Sequence, residues 1–118
     1  DMNPLRAWWE EDRGVTQRFY NHVLGAWGEA PYFCEPWICE QVVAMHLKSP
    51  AMLTVLPLQD WLAMDGAVRR ENPHDERINV PANSRHYWRY RMHFFLEELL
   101  EMDDLNKMIT QKIAESGR

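Results

Sequence analysis

Cysteine is scarce, with two among 118 residues. Cys34 and Cys39 cannot make a disulfide framework and suit a reducing compartment, so a cytoplasmic location is expected. Long apolar runs are missing as well, which leaves no candidate for a transmembrane helix or a signal-peptide core, and no membrane partner is expected. An excess of basic charge is missing too: thirteen Lys and Arg face eighteen Asp and Glu, a formal net charge of −5. That balance argues against an electrostatic grip on nucleic acid or anionic lipid. Internal repeats and low-complexity tracts are absent. The chain opens Asp1-Met2-Asn3-Pro4 with no initiator methionine, and it is expected to be an excised piece of a longer protein.

What is present is the composition of a folding chain. Hydrophobic residues make up 46% and tryptophan occurs six times, enough apolar surface to offset chain entropy. The length suits one domain or part of a larger one. Leu5, Trp8 and Trp9 recur at helical spacing behind Pro4, a residue at home in a first helical turn. Val15, Phe19, Val23 and Trp27 recur every four residues and predict a second amphipathic helix, closed by Gly25, Gly28 and Pro31. Pro36 can open a third, whose wide apolar face (Ile38, Cys39, Val42, Val43, Met45, Leu47) predicts burial on most sides. Ser49-Pro50 ends it.

The run Ala51 to Leu56 is short, continuously apolar and bracketed by Pro50 and Pro57. It reads as a strand buried on both faces, and so short a run also fits a helix. Leu58 to Met64 predicts a helical turn or two, and a polar loop follows from Arg69 through Asn83. Trp88, Met92, Phe95, Leu99 and Met102 form a core-facing seam that predicts a long helix. Asp103 and Asp104 then start a final helix with Leu105, Met108, Ile109 and Ile113 inward. The expected fold is mainly α, with five or six helices and at most one strand. A lone apolar strand needs partners on both edges, so its neighbours are expected elsewhere in a longer chain, or in a second copy paired through Met52–Leu56.

Several groups invite a chemical reading. Cys34 and Cys39 are spaced C-x4-C, but no second pair completes a tetrahedral zinc site. Buried thiols, with no metal and no cofactor, are expected. Arg85-His86-Tyr87-Trp88-Arg89-Tyr90-Arg91 interleaves cations with rings, which suits single-stranded nucleic acid or sugar faces. It equally reads as a helix start with Trp88 inward. Gln59 and Asp60 directly follow the strand-like run, where α/β barrels place functional side chains; helix capping by Asp60 is the competing reading.

Leu56-Pro57-Leu58-Gln59-Asp60-Trp61-Leu62, then Glu76-Arg77-Ile78-Asn79-Val80-Pro81-Ala82-Asn83, then Tyr87-Trp88-Arg89-Tyr90-Arg91, together with Phe33-Cys34-Glu35-Pro36 and the opening Asp1-Met2-Asn3 with Leu5-Arg6-Ala7-Trp8-Trp9, form an ordered set of motifs. The set resembles the C-terminal part of the 4-α-glucanotransferases of amylomaltase and disproportionating-enzyme type, glycoside hydrolase family 77, and is most similar to the cytosolic branch. The resemblance covers nearly the whole chain and fades after about Met102.

It implies that residues 1–118 are a single C-terminal fragment of a (β/α)8 TIM barrel. It also implies a parent enzyme that transfers α-1,4-glucan segments between maltooligosaccharide or glycan acceptors, with retention of configuration. By position, Asp1 would be the catalytic aspartate that stabilises the transition state. Met52 to Leu56 would be the eighth strand, with Gln59 and Asp60 at its C-terminal end, and Asn79 would lie near the donor sugar. The nucleophile and the acid/base would belong to earlier strands, so the isolated piece is expected to be inactive. The alternative is a helical carbohydrate-binding or protein-interaction module resting on the aromatics around Tyr87 to Arg91.

Overall fold

The architecture is built around α3, Pro36–Leu47, in a computed structural model that describes residues 2–118. Pro36 sits in the first turn, where its missing N–H leaves no bond unmade. Ile38, Cys39, Val42, Val43 and Leu47 are all buried, so the wide apolar face finds neighbours on several sides as expected. Two short helices precede it: α1, Leu5–Trp9, and α2, Arg13–Arg18, the latter continuing as a π-helical turn over Phe19–Val23. After it come α4, Leu58–Leu62, a 3-10 turn over Pro73–Glu76, another over Leu96–Glu101, and α5, Asp103–Glu115.

Trp9 ties α1 to the π-helical turn and to the loop that leads into α3. Its ring is buried, meets Phe19 and Tyr20 edge-on at centroid distances of 6.4 and 6.5 Å, and its Nε1–H donates to Pro31 O at 2.9 Å. A buried indole needs such an acceptor. Asp12 caps α2 by accepting the Val15 N–H at 3.1 Å, and Thr16, buried beneath, donates its hydroxyl to Trp9 O at 2.7 Å.

The stripe Val15–Phe19–Val23–Trp27 does not face the core. Phe19 packs against it, but Val15 and Val23 are exposed and Trp27 is 95% exposed. Positions spaced by four drift about 40° at each step around a 3.6-residue helix, and the change to a π-helical turn at Phe19 breaks the spacing further. Thr16 and Tyr20 take the inward positions, and the helix ends at Val23, before Trp27 is reached. Asn21 then holds the following loop, donating to Ala26 O at 2.9 Å and Gly28 O at 3.1 Å.

Among the described residues no strand forms. Met52–Leu56, read from the sequence as a strand, lies unladdered at the surface with Met52, Leu53 and Val55 exposed, and Leu56 alone packs on the core. A strand is defined by its neighbours, and none of the described segments offers an edge to pair with. The expected long helix over Trp88 to Met102 is also corrected. That stretch is irregular up to Phe95 and then a 3-10 turn, with Trp88 65% and Phe95 76% exposed. Most of a helix's stability comes from burying its apolar face, and here the seam is covered only in part, with Met92, Leu99 and Met102 half-buried.

α5 matches its expectation at Leu105, which is fully buried, and at Met108 and Ile109, which pack on the core; Ile113 is exposed. Lys112 Nζ bridges to Glu40 of α3 at 2.7 Å, and that bond holds the ammonium above its usual range. Arg118 closes the end of α3, donating to Leu47 O at 2.6 Å, Ser49 O at 3.0 Å and Ala51 O at 2.8 Å. The Leu47 carbonyl is one that would otherwise end the helix unpaired.

Candidate functional site

Of the polar residues singled out in the sequence, Asp60 meets the start of α1. Asp1 lies outside the described residues. Asn3, two positions on, donates its amide to Glu11 Oε1. Leu5, the first residue of α1, gives its backbone N–H to Asp60 Oδ1 at 2.8 Å. Asp60 therefore caps a helix, as the competing reading required, but α1 rather than its own α4. Burial pushes its carboxyl above the usual range, against the opposing pull of the Leu5 N–H and of nearby His46.

Gln59 is buried and turns the other way, donating Nε2–H to Glu76 O at 3.1 Å. Glu76 itself pairs with Arg6 of α1, Nη1 to Oε1 at 2.7 Å, with both side chains buried. The same guanidinium donates to Arg70 O at 2.5 Å and Glu71 O at 3.2 Å. Burial raises the Glu76 carboxyl although Arg6 opposes it, and its Oε2 is buried without a hydrogen bond. Asn79 is buried three residues further along the same segment. A surface layer reinforces the join, with His74 Nε2 2.9 Å from Glu10 Oε2 and Arg77 Nη2 3.6 Å from Glu11 Oε1.

Two concavities flank this cluster. One, of about 350 Å³, is mostly apolar and includes Asn3, Trp8, Phe19, His46, Val55 and Asp60 in its wall. The other, of about 320 Å³, is lined by Asn3, Glu11, Arg77, Val80, Pro81 and Ala82. Asn3 is common to both. Asp60 is thus joined to the segment that begins at Asn3, and Gln59 to the segment that carries Asn79.

Residues Glu76 to Asn83, Gln59-Asp60 and Asn3 to Trp9 carry the motifs of the resemblance, and they are the residues this cluster is made from. A family model described as 4-alpha-glucanotransferase matches residues 1–97. The chain belongs to glycoside hydrolase family 77. A curated relative, 4-alpha-glucanotransferase DPE2 of Oryza sativa subsp. japonica, is 41% identical over 118 residues, covering all of this chain and 12% of that protein. The chain thus spans about an eighth of the length of the curated relative. No solved structure matches. Among the described residues no helix is long and apolar enough to cross a membrane.

Arg6 and Glu76 were not singled out as site residues in the sequence, though both stand inside its motifs. They lie 70 residues apart, and no local pattern announces a pair at that distance. The Arg85–Arg91 run lies against the outer side of the cluster, with His86 Nε2 3.0 Å from Ile78 O and Arg70 donating to Arg91 O. Its Tyr87 and Trp88 rings face solvent, and Arg89 lies over the Tyr87 ring at 5.1 Å from the centroid. Trp88 is not inward, contrary to the helix-start reading. Cys34 and Cys39 are buried free thiols with Sγ atoms 3.5 Å apart. The contact with Cys39, then burial, pushes the Cys34 thiol far up.

Proposed function

We propose that the protein carrying this chain transfers α-1,4-glucan segments between maltooligosaccharide or glycan acceptors by a retaining mechanism, in the cytoplasm. Residues 1–118 supply the last strand and closing helices of a (β/α)8 barrel as one C-terminal section. Met52 to Leu56 become its eighth strand once flanking strands are present, which would cover the apolar side chains now exposed there. The observation that carries this reading is the family match over residues 1–97, which includes Asp1.

The chemistry assigns the roles. A retaining transfer needs a carboxylate that attacks the anomeric carbon and an acid that protonates the leaving oxygen, about 5–5.5 Å apart. A third carboxylate bonded to the sugar hydroxyls tightens its hold as positive charge develops on the ring, which favours the transition state over the ground state. Asp1 takes this third role. Asn79 lies near the donor sugar, Gln59 and Asp60 bind substrate at the C-terminal end of the eighth strand, and the nucleophile and the acid/base come from other strands of the barrel. The 118-residue chain alone then lacks the covalent step and is inactive. Incubation of the isolated chain and of the full-length protein with maltose, followed by chromatography of the products, tests this. Glucose and longer oligomers are expected from the full-length protein only; their formation by the isolated chain contradicts the assignment.

A further inference from the structure

Asn3, Pro4 and Leu5, which lead into α1, are tied down one after another. Asn3 is bonded by its side chain to Glu11, Pro4 is buried with φ fixed at −57°, and the Leu5 N–H is taken by Asp60. A displacement of the first turn of α1 is therefore passed directly to Asn3 and to the Asp60 carboxylate. The orientation of that turn is set from below by Arg6. Its guanidinium reaches Glu76 Oε1, Arg70 O and Glu71 O at 2.7, 2.5 and 3.2 Å, all on the segment that carries Asn79 three residues beyond Glu76.

A buried ion pair is a poor source of stability, since desolvation cancels much of its attraction and apolar packing does as well. What it supplies is direction. The planar fork engages three oxygens whose positions it fixes relative to one another, which a point-charge ammonium cannot do. Gln59 completes the arrangement by bonding the Glu76 carbonyl at 3.1 Å.

We propose that Arg6, acting through Glu76 and the carbonyls of Arg70 and Glu71, is a positioning residue for glucan transfer that sets the start of α1, with Asn3 and the Asp60 cap, against the segment that carries Asn79. This rests on the function proposed above. It is a claim about turnover rather than about binding or folding.

The test is the full-length enzyme carrying Arg6→Lys, which keeps the charge and removes the fork. A misplacement of about 1 Å costs up to ~10²-fold, so kcat for disproportionation is expected to fall by roughly ten- to a hundred-fold, with KM unchanged. Lys112→Met is the control. It cuts the Lys112–Glu40 bridge between α3 and α5, and its kcat is expected to stay at the wild-type value. The inference is overturned if Arg6→Lys keeps wild-type kcat, raises KM alone or fails to fold, or if Lys112→Met loses kcat equally. Asp1→Asn separates the two levels. If it is inactive while Arg6→Lys is unaffected, only the positioning role falls; if it keeps full activity, the functional reading falls and takes the positioning role with it.

Discussion

Asp60 is both a candidate sugar contact and the cap of α1, and its substitution to Asn separates charge from hydrogen bonding. In the folded chain burial outweighs the Leu5 N–H and His46 and raises the carboxyl above its ordinary value. Linkage gives the sign. Where the folded state holds a proton that the unfolded state has released, stability falls as pH rises. Asp60 therefore contributes its full stability below the ordinary aspartate range and loses it as pH climbs through the raised folded value. Asp60→Asn keeps an oxygen for the Leu5 N–H and cannot ionise. Replacing a charged acceptor by a neutral one gives up about 1 kcal/mol of that bond, and the upward direction of the shift means that relief of desolvation exceeds this. At neutral pH the Asn variant is thus expected to match or exceed wild type, and its advantage shrinks to nothing in acid. Asp60→Ala instead leaves the Leu5 N–H without its acceptor, at a cost of about 1–3 kcal/mol. Urea unfolding of the chain, read by tryptophan fluorescence at acidic and neutral pH, measures all three. The reasoning is refuted if Asp60→Asn loses as much stability as Asp60→Ala at neutral pH.

Thr16→Val removes the buried hydroxyl that satisfies Trp9 O and is expected to cost about 1–3 kcal/mol in the same assay, while Thr16→Ser keeps the bond and loses only a methyl, about 1 kcal/mol. The thiols of Cys34 and Cys39 are buried and the first is pushed up in pKa, so a thiol-specific chromogenic reagent at neutral pH is expected to label neither until denaturant is added; rapid labelling of the native chain would contradict the packing around α3.

Local patterns conveyed those elements whose partners lie close in sequence or need no particular partner. Pro36 and the apolar face from Ile38 to Leu47 specify α3 because a face that wide is buried by whatever surrounds it. Asp103 and Asp104 followed by Leu105, Met108 and Ile109 specify α5 in the same way. The seam from Trp88 to Met102 misled because it describes a helix only when a surface is present to receive it. The four-residue stripe from Val15 to Trp27 misled because it drifts around the helix while Thr16 and Tyr20 face inward. Around Gln59, Asp60 and Asn79 the bonds were not legible in the sequence. Asp60 meets Leu5 across 55 residues and Arg6 meets Glu76 across 70, and such pairings arise only when α1, α4 and the segment from Arg70 to Asn79 are packed together.

The central claim is that Asp1 serves glucan transfer in the full-length enzyme by stabilising the transition state. The most direct measurement is the rate at which that enzyme, as wild type and as Asp1→Asn, passes glucan segments from maltooligosaccharide donors to isotopically labelled glucose. Removal of one group that stabilises transition-state charge costs about 10²–10³-fold, so a loss of that size in kcat with the folded state intact is the predicted result. An Asp1→Asn enzyme that transfers at the wild-type rate would contradict the account.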